Sequence, residues 1–254
     1  MPDSKSTFCS RTTNHRFDVT SWLLVAALLV VTCGCKMRAN QHNAAGLQAY
    51  QAGQVSQAIN EFQRALNVDP QNANALYNLG ASYAKLGKES RNVTWIEQAE
   101  QLFRQAISVD SQHVQAHRGL SALLIESGQE KFAFDLLDQW RLRNPSSTEP
   151  LIELARLYQE YGDQRRASDL LTDALKLNSN DTRALKALGH VRETQGQYKL
   201  ALENYLSVIQ LDPEQVDLFP KVAALQVQLA KNPSQTPSNQ ASPRYGSATP
   251  YKTR

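Results

Sequence analysis

The chain has 254 residues, with 27 Lys and Arg against 24 Asp and Glu, and a formal charge of +3 is too small to argue for a nucleic-acid partner. Its three cysteines, Cys9, Cys33 and Cys35, all lie in the first 35 residues. The remaining residues therefore have no disulfide framework and must be held by their core alone.

In chain order, the first informative segment is Ser21–Cys35, SWLLVAALLVVTCGC. Lys5, Arg11 and Arg16 precede it, Trp22 to Val31 form a short apolar core, and Gly34 and Cys35 close it. That is the three-part layout of a secretory signal. The cysteine behind a small residue resembles a bacterial lipobox, with Thr32 and Cys33 standing where Leu and Ala or Ser are commoner. The resemblance implies a signal peptide over 1–34, cleaved before Cys35, and lipidation (palmitate) of Cys35. Two other readings stay open. Val19–Cys35 falls just short of the roughly 20 apolar residues that an uncleaved anchor needs, and plain soluble secretion leaves Cys35 a bystander. All three place the remainder outside the cytoplasm. Residues 35–43 would form a tether of about eight residues, at most about 28 Å long when extended. Lys36 is not the Asp that favours inner-membrane retention, so the lipobox resemblance implies an outer-membrane lipoprotein facing the periplasm.

Beyond the tether the sequence repeats. Small residues recur at Gly46, Gly80, Ser121, Ala155 and Gly189, in steps of 34, 41, 34 and 34. Gly53, Gly87, Gly128, Gly162 and Gly196 recur in the same steps. Alanines stand at Ala58, Ala99, Ala133, Ala167 and Ala201, each followed four residues later by Phe62, Phe103, Leu137, Leu171 or Tyr205. Three further on come Ala65, Ala106, Trp140, Ala174 and Val208, and each unit closes near Pro70, Ser111, Pro145, Ser179 or Pro213. Each unit reads as two antiparallel helices. The first small residue admits the second helix, and the glycine makes the turn. The offsets of four and three put the alanines and the large side chain on one helical face.

LYNLGASYAKLG (Leu76 to Gly87) and ALGHVRETQGQYKLALENYLSVIQLDP (Ala187 to Pro213) resemble the tetratricopeptide repeat (TPR). The resemblance runs from about Ala39 to Pro213. It implies an all-α fold, a right-handed α-solenoid of about five hairpins over 44–230, with repeats near 39–72, 73–113, 114–147, 148–181 and 182–215. Trp140 in place of a small residue, and Arg192 in an aromatic position, predict local packing adjustments. The second unit gains seven residues between Gly87 and Ala99. Thr94 and Glu97 there read as a capping box, so the insertion is expected to lengthen the turn Lys88–Val93 and start the next helix early. Val216–Ala230 reads as a capping helix with Phe219, Val222, Leu225 and Leu229 inward. From Lys231 to Arg254 the chain carries four bases and no acids amid Pro, Ser, Thr, Gln and Asn, a composition expected to stay disordered.

No P-loop, GxGxxG, GxSxG or HExxH motif is present, so no enzyme is expected, nor any cofactor. His113 and His117 have the i, i+4 spacing of a helical metal pair, but no third ligand lies near in sequence, so they are expected to be ordinary surface or partly packed residues. The concave face of such a solenoid is lined by the first helix of each unit. Its candidate binding side chains are Asn74, Tyr77, Asn78 and Lys85 in the second unit and Arg118 in the third. The fourth offers Glu149, Glu153, Arg156 and Glu160, and the fifth Arg183, Lys186 and His190, an acidic strip beside a basic one. Among the clamp positions by which relatives hold a terminal carboxylate, Asn78 alone matches. The resemblance implies a membrane-tethered scaffold that binds a protein or peptide in its groove and neither nucleic acid nor a small-molecule substrate. It is similar to TPR lipoproteins of pilus or outer-membrane assembly. The alternative is an adaptor for cell-wall enzymes whose basic tail touches the envelope polymer.

Overall fold

The computed structural model describes residues 36–231. The expected signal peptide, Cys35 and the tail from residue 232 lie outside the described residues. The described residues form helices without a strand and divide between two compact units, 36–113 and 114–231. Unit one holds α1 (36–51), α2 (Val55–Val68), α3 (Ala73–Ser90) and α4 (Val93–Val109). Unit two holds α5 (Val114–Glu126), α6 (Glu130–Arg143), α7 (Glu149–Glu160), α8 (Gln164–Leu177), α9 (Thr182–Thr194), α10 (Tyr198–Leu211) and α11 (Leu218–Lys231).

The expected hairpins form, and their packing follows from the repeated small residues. Ala58, Ala99, Ala133, Ala167 and Ala201 are fully buried, as are Phe62, Phe103, Leu137, Leu171 and Tyr205 to within a few percent. A Cβ at Gly46 would stand 2.5 Å from the Phe62 ring, at Gly80 3.0 Å from Phe103, and at Gly189 2.6 Å from Tyr205. Glycine is therefore what admits an aromatic ring. Where the first helix has Ser121 or Ala155, the second offers the slimmer Leu137 or Leu171. Between hairpins, Asp69, Asp110, Asn178 and Asp212 each accept the backbone N–H two residues on, at 2.9 to 3.2 Å. These side-chain turns stop the second helices, beside the Pro and Ser noted in the sequence.

Four expectations need correction. The tether does not hang free: residues 36–43 belong to α1. Ala39, Gly46 and Ala49 share a buried face, Asn72 Nδ2 donates to Asn40 at 3.1 Å, and His42 bonds Glu61 at 2.8 Å. The same stripe that makes the other first helices continues back to Ala39.

The insertion does start the next helix early, α4 beginning six residues before Ala99 where α2, α6, α8 and α10 begin three before their alanines, but it does not lengthen a loop. α3 has 18 residues and α4 has 17, whereas the second hairpin's successors have helices of 12 to 14. The cap is Asn92, whose side chain accepts from the Thr94 N–H at 2.9 Å. Gly87 lies within α3 against Ile96, 2.6 Å from where its Cβ would be. The left-handed turn position passes to Arg91, φ 52°, while Gly53, Gly128, Gly162 and Gly196 have φ between 72° and 79°.

On α11, Leu218, Val222 and Leu225 are buried but Phe219 is 49% exposed. The helix turns about the stripe i, i+4, i+7 from Leu218, which leaves Phe219 one residue out of it. The histidines are not surface residues. His113 and His117 are 6% and 4% exposed, because each lies beside an aromatic ring. His113 is 5.4 Å from the Tyr77 ring, and His117 lies flat on Trp140 at 4.0 Å. That stack is also the adjustment at Trp140. At Arg192, a guanidinium nitrogen donates to Asn204 Oδ1 at 2.8 Å, and burial pulls the Arg192 pKa below its usual value.

Candidate functional site

The first helices carry the candidate side chains, and each unit arranges its own set. In unit one the row is mostly uncharged, with Asn74, Tyr77 and Asn78 on α3 and Lys85 further along the same helix. Asn78 Nδ2 donates to Asn43 Oδ1 at 2.9 Å, joining α3 to α1. Asn74 Oδ1 lies 3.1 Å from His113 Nε2, and burial pushes the His113 pKa down. Tyr77 packs near the rings of Phe103 and His113. The Lys85 ammonium stands 5.3 Å over the Tyr50 ring, a cation–π contact that fixes a long side chain. A side-chain amide has two donors and an acceptor with two lone pairs, so one mutual bond leaves Asn43 and Asn78 with capacity for a ligand's polar atoms.

In unit two the row is charged and largely satisfied from within. Arg118 reaches from α5 to Glu153 on α7, with Nε 2.9 Å from Oε2 and a second bond to Oε1. Arg156 adds Nε to the same Oε2 at 3.1 Å and also binds Glu160. Glu153 is fully buried beneath these partners. Arg183 on α9 forks onto Glu149 of α7, one of its bonds measuring 2.8 Å, and that bond raises the Arg183 pKa. Lys186 binds Asp217 at 2.7 Å and Gln215 at 3.1 Å, and its hydrogen bond lowers the Asp217 pKa. His190 is exposed.

The acidic and basic strips are therefore bonded to each other across hairpins, which removes much of their field for an outside ligand. Sequence reasoning placed these twelve side chains on the first helices but missed Asn40, Asn43, Asn72 and Asp217 as partners. The missed signal is spacing: Asn43 to Asn78 and Arg118 to Glu153 are both 35 residues apart, and Glu149 to Arg183 is 34.

Unit two also has an open hollow of about 420 Å³ along α6, α7 and α8, floored by Phe134, Leu154 and Tyr158. Three of its four carboxylates are paired locally: Asp138 with Arg141, Asp173 with Lys176 and Asp135 with Lys131. Among the described residues no group of three or more His, Cys, Asp or Glu gathers as metal ligands would.

Two family models match the chain. Residues 46–87 match one described as TPR repeat, and residues 152–216 match one described as tetratricopeptide repeat. The stretch between them contains the lengthened α4 and the Trp140 hairpin. No curated protein matches the chain. Among solved structures, a thermophilic TPR protein of Thermus thermophilus is 22% identical, with 74% of this chain and 99% of that one covered and a TM-score of 0.56. MamA of Desulfovibrio magneticus is 18% identical over 70% and 97% of the two chains, TM-score 0.45. Pseudomonas aeruginosa pilF is 18% identical over 80% and 95%, TM-score 0.49. The two family matches and the Thermus thermophilus structure show TPR repeats in an all-α fold of the TPR type, and likeness at 22% identity speaks to the fold alone.

Proposed function

We propose that the chain is a lipid-anchored scaffold of the bacterial envelope that binds a peptide or protein segment on the faces of its first helices. One observation carries the binding reading: those helices hold rows of polar side chains in fixed geometry by bonds from one hairpin to the next. A surface ordered before binding loses less side-chain entropy when a ligand arrives. In unit one the amides of Asn43, Asn74 and Asn78 suit a polar main chain. In unit two the exposed parts of Arg118, Glu160 and Arg183 suit charged side chains.

The tethering reading rests on Ser21–Cys35 and its lipobox resemblance. With Lys36 already helical, the eight residues after the lipid span about 12 Å as helix, so unit one works against the bilayer. Lys36 supports outer-membrane placement on the periplasmic side, and the assembly of pilus or outer-membrane complexes is the process proposed for it.

The test combines both parts in living cells. A photo-crosslinking residue at Asn74 is expected to trap a discrete partner in the membrane fraction, and one at Gln101, on the outer side of α4, to trap none. Cys35→Ala should abolish labelling by a fatty-acid analogue and move the adduct out of that fraction. Equal trapping at both positions sinks the binding reading, and equal labelling of the mutant sinks the anchor.

A further inference from the structure

The repeat does not stop at the fifth hairpin. Counting on by 34 from Leu185 and Gly189 reaches Phe219 and Ala223 in α11. At the same register Leu151 and Leu185 are each 8% exposed, because a second helix covers them, whereas Phe219 is 49% exposed. Ala155 is fully buried, whereas Ala223 is exposed. Phe219, Ala223, Val227 and Ala230 stand at i, i+4, i+8 and i+11, all of them exposed, so they form one continuous apolar face. α11 is thus the first helix of a sixth hairpin, apolar on the face where its second helix would lie, and not a polar cap.

The sequence that follows α11 is poorly suited to that helix. The positions that carry Ala201, Tyr205 and Val208 in the fifth hairpin fall on Gln235, Asn239 and Ser242 in the sixth, which have no apolar side chain to offer. A second copy is disfavoured by charge. From Leu218 to Arg254 the chain has Lys221, Lys231, Arg244, Lys252 and Arg254 and no Asp or Glu, so pairing two such ends sets like charges together. Asp217, the nearest acid before this stretch, is already engaged by Lys186.

We infer that the outward face of α11 accepts one amphipathic helix of a partner protein, acidic on its polar side, in the place of the missing second helix. Its apolar face is specified by the other hairpins. Glycine in the first helix takes Phe or Tyr, and Ser or Ala takes Leu, as with Ala155 and Leu171. Ala223 therefore calls for Leu, flanked by small residues four before and three after. This is helix-in-groove recognition, carried by the α11 register and independent of the reading of the first-helix faces.

The probe is a synthetic peptide with the α8 sequence Gln164–Leu177, in which Arg165→Glu, Arg166→Glu and Lys176→Glu make the polar side acidic. Fluorescence anisotropy with the full chain in detergent should show saturable binding. A control peptide with Asp169→Lys and Asp173→Lys and the native bases kept should bind at least about tenfold more weakly, as charge reversal at a complementary surface predicts. Ala223→Arg, at an exposed position, should keep the helix content and weaken the acidic peptide at least about tenfold by setting a charge in the apolar contact. Three results overturn the inference: no saturable binding, equal binding by Ala223→Arg, or equal binding of the two peptides. A dimer in sedimentation that Ala223→Arg abolishes overturns it too, assigning the face to a second copy.

Discussion

Glu153 has lost its contact with solvent, whereas Arg118 and Arg156, which bind it, remain 49% and 31% exposed. That asymmetry decides what each substitution costs. Glu153→Gln keeps an acceptor under the guanidinium groups, and water can serve the arginines, so a loss of about 1–2 kcal/mol is expected. Glu153→Lys buries a cation against two others and should cost at least about 3 kcal/mol. Glu160→Lys, at an exposed site, should stay within about 0.5 kcal/mol. Urea unfolding followed by helical circular dichroism measures all three, and equal midpoints for the two lysine variants would overturn the assignment. Periodicity put Glu153 on the polar side of α7, as it did Glu149 and Glu160. It gave no sign that Glu153 alone of these would be enclosed, because enclosure depends on side chains 35 residues back and three ahead, Arg118 and Arg156. Charge reversal at Glu153 therefore tests the fold more than it tests ligand binding.

The helical hairpin is the element on which everything repeats, and its two kinds of glycine do different work. Gly162 has φ 79° with nothing within 4 Å of a built Cβ, so Gly162→Ala meets only backbone strain, about 1 kcal/mol. Gly189 is helical, and its Cβ would press on Tyr205 at 2.6 Å. Gly189→Ala should cost more, about 1–3 kcal/mol for overpacking, and Tyr205→Leu in the same chain should recover part of it. Thermal unfolding of the two single variants and the double one checks this; a double variant no better than Gly189→Ala refutes the pairing rule. Both glycine roles were legible as two series in register, since each role recurs wherever a hairpin does. The second hairpin was not. Seven extra residues are about two helical turns, so they fit as well into α3 and α4 as into a loop, and the choice fell to Asn92 as cap and Arg91 in the left-handed position. Sequence spacing alone does not separate those outcomes, and Thr94 with Glu97 gave a plausible cap two residues too late.

At the scale of the whole chain, the order of hairpins was legible because the same burial rule is written five times, whereas the ends were not. α1 runs back into the expected tether, and α11 turns an apolar face outward. A terminal unit lacks the neighbour that fixes which residues are inside. The described core is correspondingly distributed: Ala49, Ala58, Phe62 and Leu79 cluster in unit one, and unit two has one cluster around Ala155, Ala167, Leu171 and Leu188 and another around Ala201, Tyr205 and Leu218. Stability in such a chain is close to a sum of neighbour terms, so damage should stay near where it is made. Ala167 is fully buried in α8, and Ala167→Arg drives an unpaired charge between paired helices, at a cost of at least about 3 kcal/mol. Amide exchange read by mass spectrometry should then show protection lost first in α7 to α10, with residues 36–113 keeping theirs. A uniform loss from α1 to α11 would mean that the chain unfolds as one body, and the neighbour-by-neighbour account of its stability would be wrong.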